Sequence, residues 1–132
     1  MSISSVFKQI EKILPKEDIL TSIEECFAYS MDASNNPYYN GEIPNGVIFP
    51  HTIDQVQKIV KISSKENIPI VCRGAGTNTV GACVLPKRGI VLNFSKMNKI
   101  LEINKENMTA RVQPGVVVGD LQKEVEAIGL FY

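Results

Sequence analysis

The stretch IPIVCRGAGTNTVGACVLP, residues 68–86, decides the fold of this chain. An apolar run ends at Arg73, and glycines then occupy positions 74, 76 and 81. Glycine tolerates backbone conformations that are closed to other residues and lets a ligand come close to the main chain. The stretch therefore predicts a buried strand followed by a glycine loop, which is either a tight turn between two strands or a binding loop.

The residues before this loop predict a strand, a helix and a second strand. VIFP is a short β-rich run that stops at Pro50. Thr52 and Gln55 have the spacing of a capping box, in which each side chain satisfies a backbone donor at the start of a helix. The apolar face expected of that helix consists of Ile53, Val56, Ile59, Val60 and Ser63, and Pro69 ends it. Strand, helix and strand form a βαβ unit, whose crossover makes the two strands parallel.

The residues after the loop predict an antiparallel pair of strands and a last helix. GIVLNF, KILEI and MTARVQP are strand-like, and the NKEN loop joins the last two as a hairpin. Met108, Ala110 and Val112 alternate with polar residues, which predicts one buried face and one wet face. Asp120 lies in the first turn of the helix that follows, and Gly129 is placed to cap its end. We expect an α+β fold: a small mixed sheet, parallel at the βαβ unit and antiparallel in its second half, with flanking helices.

The first 45 residues differ in character from the rest. Val6 and Ile10 recur at helical spacing, and a second periodic run extends over 19–27. A connection rich in Asn, Pro and Gly then leads to Gly46. We therefore divide the chain into an N-terminal helical segment with a connecting loop, residues 1–45, and a second part, residues 46–132.

Composition excludes several classes of function. Of the 132 residues, 44% are hydrophobic and 21% are charged, which is enough apolar material for one core. The 14 basic residues balance the 14 acidic ones, so no global field favours nucleic acid or an anionic membrane. No run approaches the roughly 20 apolar residues that span a bilayer, and the first residues contain no signal-peptide core. The three cysteines form no C-x-x-C pair, which fits reduced thiols and a cytoplasmic location.

Two familiar phosphate-binding motifs do not fit the glycine loop. A P-loop needs a lysine and a hydroxyl residue after its last glycine, whereas alanine and cysteine follow Gly81. The dinucleotide fingerprint G-x-G-x-x-G needs a third glycine where Thr79 stands, and no clear helix follows. What remains is RGAGTN, residues 73–78, whose backbone amides can line a diphosphate without a metal. Thr77 adds a hydroxyl group, and Asn78 tolerates left-handed backbone geometry.

Most of the chain, about residues 44–131, resembles a known family. The segments GVIFPHTIDQVQKIVKISSKENIPIVCRGAGT and GIVLNFSKMNKILEINKENMTARVQPGVVVGDLQKEVEAIGLF carry the resemblance in their order and spacing. They are similar to the FAD-binding domain of the vanillyl-alcohol oxidase and p-cresol methylhydroxylase (PCMH-type) superfamily, most of all to its branch of glycolate oxidase D-subunits and D-lactate dehydrogenases. Earlier residues match only loosely, through YSMDAS.

The resemblance implies a set of cofactor contacts. In that family the loop after the βαβ unit wraps the FAD diphosphate, so the cradle here would consist of Arg73, Gly74, Ala75, Gly76, Thr77 and Asn78, with Gly81 as a further contact. It would place Pro50, Ile70 and Val71 near the adenosine half of FAD, and Pro114, Gly115 and Val116 at the opposite edge of the cofactor.

The loop departs from the family pattern at three positions. Family members usually end it in G-x-S-G-G, whereas Asn78 replaces the first glycine here, Val80 the small hydroxyl residue and Ala82 the last glycine. A lost hydroxyl group removes one hydrogen bond, worth about 0.5–1.5 kcal/mol. The departures change the expected side-chain contacts and leave the backbone cradle in place.

The resemblance also implies an activity, the oxidation of a 2-hydroxy acid such as D-lactate or glycolate, with hydride transfer from C2 to flavin N5. In such enzymes the catalytic residues and the substrate-binding part lie further along a longer chain, so we expect neither a catalytic residue nor a metal site here. We interpret the chain as an N-terminal piece of a flavoenzyme that is inactive alone. Its expected partners are FAD, the rest of its own FAD and substrate domains, and an electron-transfer protein. An exposed apolar face and a tendency to dimerise are also expected of such a piece.

Two other functions stay open: a stand-alone nucleotide- or phosphate-binding module without catalysis, and an interaction domain that docks on a larger redox complex. The apolar ending GLFY favours the piece over the module. His51, the single histidine, stands beside a helix cap, where we expect a structural role. Cys72 and Cys83 flank the loop and are expected to pack rather than to react.

Overall fold

The structure is a computed structural model that describes residues 3–34 and 42–132. A short 3-10 turn, Lys16–Asp18, precedes the first strand. No helix in the described residues is long and apolar enough to cross a bilayer. The elements follow the chain in the order α1 (Ile3–Ile10), β1 (Ile19–Leu20), α2 (Ile23–Phe27), β2 (Gly46–Ile48), α3 (Ile53–Lys65), β3 (Ile70–Arg73), β4 (Ile90–Asn93), β5 (Ile100–Asn104), β6 (Thr109–Val112) and α4 (Val118–Glu126).

A four-stranded mixed sheet with the order β1-β2-β4-β3 forms the centre of the fold. Strands β2, β4 and β3 are parallel, as the βαβ unit requires, and β1 runs antiparallel to β2. The two strands of the βαβ unit are not neighbours, because β4 lies between them and Leu92 is opposite both Ile48 and Cys72. The predicted α+β fold with a mixed sheet is confirmed. The carboxyl ends of the three parallel strands therefore meet at one edge.

Helix α3 begins with the predicted capping box. The Thr52 hydroxyl accepts a hydrogen bond from the Gln55 amide at 3.3 Å, and the Gln55 side chain accepts one from the Thr52 amide at 3.2 Å. The apolar face is narrower than predicted, because Ile53 and Val60 are exposed while Ile59 is buried. The helix ends at Lys65, before Pro69, since left-handed geometry at Asn67 turns the chain.

One hydrophobic core joins α1, α3 and the sheet. Its buried members are Val6, Phe7, Ile10, Leu14, Ile48, Ile59, Ile90 and Leu92. They come from both sides of the division predicted at residue 45. The two parts therefore share one core, and the division as a domain boundary stays a prediction.

The helix predicted over 19–27 is wrong in its first part. Ile19 and Leu20 form strand β1, which pairs with the two residues that precede Phe49. Helix α2 starts only after Ser22, whose hydroxyl accepts a hydrogen bond from the Glu25 amide at 3.2 Å. Apolar spacing alone did not reveal this, because the edge of a sheet and the face of a helix both accept Ile and Leu.

Strands β5 and β6 form the predicted hairpin, closed by a hydrogen bond of 2.9 Å from the Asn107 amide to the Asn104 side chain. They form a two-stranded sheet of their own and do not extend the mixed sheet. The buried face predicted for β6 is wrong within the described residues, where Met108 is 69% and Val112 37% exposed. Alternation shows which side chains share a face; it does not show what covers that face.

Asp18 is a buried carboxylate, 1% exposed, beside the end of β2. Its two oxygens contact Lys96 Nζ at 2.5 Å and His51 Nε2 at 2.6 Å, and both partners keep more than two fifths of their side chains exposed. Burial raises the pKa of the Asp18 carboxyl, but the hydrogen bonds from Lys96 and His51 outweigh it, so this pKa lies below its ordinary value. The cluster ties the turn before β1 to the residues after β2 and β4.

We expect Asp18→Asn to lower the free energy of unfolding by about 1–3 kcal/mol near pH 7, because two charge-assisted hydrogen bonds weaken while their partners can turn to water. The folded-state pKa of Asp18 is depressed, so its stabilisation is present above the unfolded-state pKa and is lost as pH falls through the folded-state value. Chemical denaturation near pH 7 and near pH 3 therefore shows a gap between wild type and variant that shrinks in acid.

The matched control is Asp54→Asn, which removes an exposed i,i+4 pair with Lys58. We expect this variant to stay within about 0.5 kcal/mol of the wild type. An Asp18→Asn variant as stable as the control would contradict the role assigned to the buried cluster.

Candidate functional site

The glycine loop leaves the carboxyl end of β3 directly after Arg73. Pro50 follows the end of β2 and Phe94 the end of β4, so all three connections emerge at the same edge of the sheet. In open α/β sheets the crevice outside the carboxyl ends of parallel strands is the usual place for a ligand. The fold therefore presents the loop where a binding site is expected.

Two open cavities lie against the loop. The first, of about 240 Å³, is lined by Cys72, Gly74, Ala75, Gly76, Thr77, Asn78, Ala82 and Cys83. The second, of about 340 Å³, is lined by Gly74, Ala75, Thr77, Pro114, Gly115, Val116, Val117, Val118 and Gly119. Three loop residues belong to both cavities. The structure thus brings the predicted cradle and the predicted opposite edge, Pro114 to Val116, to one place.

The backbone of the loop offers hydrogen-bond donors. Within residues 3–34 and 42–132, the amides of residues 74–79 donate to no protein acceptor. The carbonyl groups of Gly76 and Asn78 instead accept hydrogen bonds from the Ala33 amide, at 3.2 and 3.1 Å. Successive amides without protein acceptors, beside a cavity, are suited to hold an anion such as a diphosphate.

The first turn of α4 forms the far side of the second cavity. Val117 is the N-cap residue, and its side chain makes no capping hydrogen bond. The amides at a helix start have no partner inside the helix and carry the positive end of its dipole. The amides of Val117 to Gly119 donate to no protein acceptor in the described residues, so free backbone donors lie on both sides of the second cavity.

The glycines of the site are required for different reasons. Gly76 has φ +77°, and the Arg73 guanidinium occupies the place where its side chain would start. Gly115 packs its Cα against the Phe94 carbonyl oxygen, which leaves no room for a Cβ. At Gly74, as at Gly119 in the second cavity, a Cβ would meet nothing within 4 Å and would point into open space. Packing within the described chain does not explain a glycine at position 74.

Asn78 acts through its side chain. Its backbone is not left-handed; in the loop only Gly76 and Gly81 have positive φ. The Asn78 Oδ1 accepts hydrogen bonds from the amides of Val80 and Ala82, at 3.2 and 3.0 Å, and its Nδ2 donates to Cys83 Sγ at 3.0 Å. Asn78 therefore closes the second half of the loop upon itself.

Arg73 lies behind the loop and lines neither cavity. Its Nη1 donates a hydrogen bond of 2.7 Å to the Met31 carbonyl, and its guanidinium carbon lies 5.3 Å from the centre of the Tyr29 ring. The guanidinium also contacts Cys83 Sγ at 3.5 Å. In this structure Arg73 supports the loop and does not project toward the cavities.

The remaining predicted contacts lie outside the two cavities. Pro50 is fully buried, Ile70 packs on the first core, and Val71 packs on a second apolar cluster around Val47. Gly81 is also buried, at the turn that ends the loop. Their contacts with the adenosine half of a cofactor, and that of Gly81, stay predictions.

Sequence reasoning missed several residues that line the cavities. Cys72, Ala82 and Cys83 complete the first cavity, and Val117 to Gly119 complete the second. The sequence predicts only packing for Cys72 and Cys83, which flank the loop. The position of Cys72 beside Arg73, at the carboxyl end of a parallel strand, was a signal that could have placed it at the site.

Known proteins match this chain over most of its length. A family model for FAD binding domains matches residues 44–132. The glycolate oxidase subunit GlcD of Bacillus subtilis is 41% identical over 132 residues, which are 100% of this chain and 27% of that protein. A D-lactate dehydrogenase of Anaerostipes hadrus is 30% identical over 128 residues, which are 96% of this chain and 26% of that protein. The chain thus spans about a quarter of the length of these curated relatives.

The fold also matches solved structures. A crystal structure of p-cresol methylhydroxylase with substrate bound superposes with a TM-score of 0.82 at 26% identity, covering 96% of this chain and 25% of that one. This likeness confirms the predicted PCMH-type fold.

A pair of glycine variants separates loop folding from loop function. We expect Gly76→Ala to lower the free energy of unfolding by about 1–3 kcal/mol, because alanine is strained at φ +77° and displaces Arg73. Gly74→Ala, the matched control, should stay within about 0.5 kcal/mol of the wild type, since its methyl group meets no neighbour. Thermal and chemical denaturation of both variants measure the difference. Equal stability of the two would show that the loop does not adopt the described conformation.

Proposed function

This chain belongs to the family of FAD binding domains, so FAD is its cofactor, and from this premise we propose that it forms the N-terminal, diphosphate-binding part of an FAD-dependent oxidoreductase acting on a 2-hydroxy acid. The observation that carries the proposal is the open position at Gly74, which faces both cavities and has no packing reason to be glycine. A residue without a side chain at such a point leaves room for a ligand against the backbone.

The residues present fit the diphosphate of FAD. The free amides of residues 74–79 and the Thr77 hydroxyl supply donors, and no acidic side chain lines either cavity among the described residues. Gly115 and its neighbours would face the cofactor from the second wall, and Pro50, Ile70 and Val71 would support the adenosine half. Asn78 and Gly81 would hold the shape of the loop around it. The flavin, when bound, supplies hydride-accepting chemistry.

The proposed substrate class rests on the relatives. One is named a glycolate oxidase subunit and another a D-lactate dehydrogenase, and glycolate and lactate share a hydroxyl group next to a carboxylate. Among the described residues, no His, Lys, Arg, Asp or Glu lines either of the two cavities beside the glycine loop. The group that takes the hydroxyl proton and the groups that bind the substrate carboxylate therefore belong, in this proposal, to other parts of the enzyme. This chain by itself would be inactive.

The proposal is tested on the native protein, captured from its own cells with an antibody against this chain. We expect an intact mass several times the 14.6 kDa of the chain, bound FAD, and anaerobic bleaching of the flavin absorbance by glycolate or D-lactate. A native mass of 14.6 kDa without flavin would contradict the proposal and favour a stand-alone nucleotide-binding module. Bound FAD that no 2-hydroxy acid reduces would contradict the substrate class alone.

The site is tested by Gly74→Ala in the same native protein. We expect the variant without cofactor to keep the melting temperature of the wild type. In competition with an FAD-free apoprotein it should bind FAD about tenfold more weakly, the effect of a single misplaced contact. Asp54→Asn is the matched control, since Asp54 lies on α3 outside both cavities. Unchanged FAD affinity in Gly74→Ala would remove the diphosphate from this loop.

A further inference from the structure

A short segment, Tyr29–Ser34, lies across the back of the glycine loop; we call it the rear segment. It precedes the part of the chain matched by the family model. Three of its contacts hold Arg73 and the loop backbone: the Met31 carbonyl accepts from Arg73, the Tyr29 ring lies against the same guanidinium, and the Ala33 amide donates to two loop carbonyls. Among the described residues, these contacts support the glycine loop from the side of the rear segment.

Asp32 adds contacts to the second half of the loop. Its Oδ1 accepts a hydrogen bond from the Ser34 amide at 2.8 Å, and its Oδ2 lies 3.9 Å from the Cys83 sulfur. Hydrogen bonds from Ser34, and also from the Asn78 side chain and the Gly81 amide, lower the pKa of the Asp32 carboxyl. The Asp32 carboxylate therefore lies against the second half of the loop, where it contacts Cys83.

The Ala33 contacts determine where the loop amides point. In a trans peptide, the carbonyl of one residue and the amide of the next lie in one plane and point in opposite directions. The described residues contain no cis peptide bond. Because the Gly76 carbonyl turns toward Ala33, the Thr77 amide must point away from Ala33, and the Thr79 amide does the same because of the Asn78 carbonyl. Thr77 lines both cavities, on the side away from the rear segment.

We propose that the rear segment positions the glycine loop for its cofactor, and that Asp32 and the Ala33 amide are its positioning groups. The inference rests on the proposed FAD site and deepens it, since it assigns the orientation of the cradle to residues outside the cradle. Neither group lines a cavity. Both act through the loop.

Two variants remove these groups by different means. Asp32→Asn removes the charge and keeps the side-chain shape. Ala33→Pro removes the amide hydrogen without any change of charge, because proline has no backbone N–H. Ala33→Gly, which keeps the amide, is the matched control for proline, and Asp54→Asn is the matched control for the lost charge.

The three cysteines serve as reporters that need no cofactor. Cys72 is exposed and gives a reference rate of alkylation, whereas Cys83 is buried beneath the loop and reports its opening. Cys26 is buried in the second apolar cluster and reports unfolding of the surrounding fold. Iodoacetamide labelling followed by peptide mass spectrometry gives the three rates. Ala33→Pro leaves the charge beside Cys83 unchanged, so a rise in rate that both variants share reports opening of the loop and not altered thiol reactivity.

We expect Asp32→Asn and Ala33→Pro each to raise the labelling rate of Cys83 about tenfold relative to Cys72, the effect of one hydrogen bond of ordinary net strength. Cys26 should stay protected, and both controls should match the wild type. If Cys83 stays as protected in both variants as in the wild type, the inference is overturned. It is also overturned if Cys26 and Cys83 become reactive together, because the rear segment would then stabilise the whole fold rather than the loop.

Titration of the wild type, the two variants and the two controls with FAD separates this inference from the proposed function. We expect the two variants to bind FAD about tenfold more weakly than their controls. Wild-type protein with a protected Cys83 but no FAD binding would contradict the proposed function. Opened loops that bind FAD as tightly as the wild type would contradict the positioning role while leaving the FAD site intact.

Discussion

The hydrogen bond that the Phe94 amide donates to the Arg73 carbonyl, 2.8 Å long, is the contact on which the site depends. It is the last hydrogen bond between the parallel strands β3 and β4, and the backbone segments that follow the two strands separate after it. On one side the glycine loop begins at the next residue. On the other side Gly115 packs against the Phe94 carbonyl oxygen, and its amide donates a hydrogen bond of 2.8 Å to the Met97 carbonyl. Both walls of the second cavity are thus attached to one pair of strand ends.

The parts of this arrangement that sequence could predict are those set by local chemistry. The capping box at Thr52, the left-handed Gly129 at the end of α4 and the hairpin at Asn104 each need only neighbouring residues, and all three are present. The glycine loop is predictable for the same reason, since its composition lies within one short stretch. Its assignment to FAD needed the family resemblance, because several kinds of anion fit free amides.

The parts that sequence could not predict depend on distant pairing. Nothing in the residues of β4 shows that it lies between β2 and β3, and nothing in Ile19 and Leu20 shows that Ile48 and Val47 pair with them. The direction of Arg73 is a similar case. An arginine at the end of a strand beside a glycine loop suggests an anion contact, yet its donors are directed to Met31 and Cys83, which only the folded chain brings near.

The three departures of the loop from the family pattern are connected in the structure. Asn78, which replaces a glycine, uses its Oδ1 to accept hydrogen bonds from the amides of Val80 and Ala82, the other two departing positions. Val80 is 78% exposed and lines neither cavity, so the hydroxyl it replaces would not face these cavities from there. The Asn78 side chain thus accepts two backbone hydrogen bonds within the loop. A glycine at this position has no side chain that could accept them. Since this bracing lies downstream of residue 77, the free amides from Gly74 to Thr77 keep their place beside both cavities, and the departures change how the loop is held more than what it offers to a diphosphate.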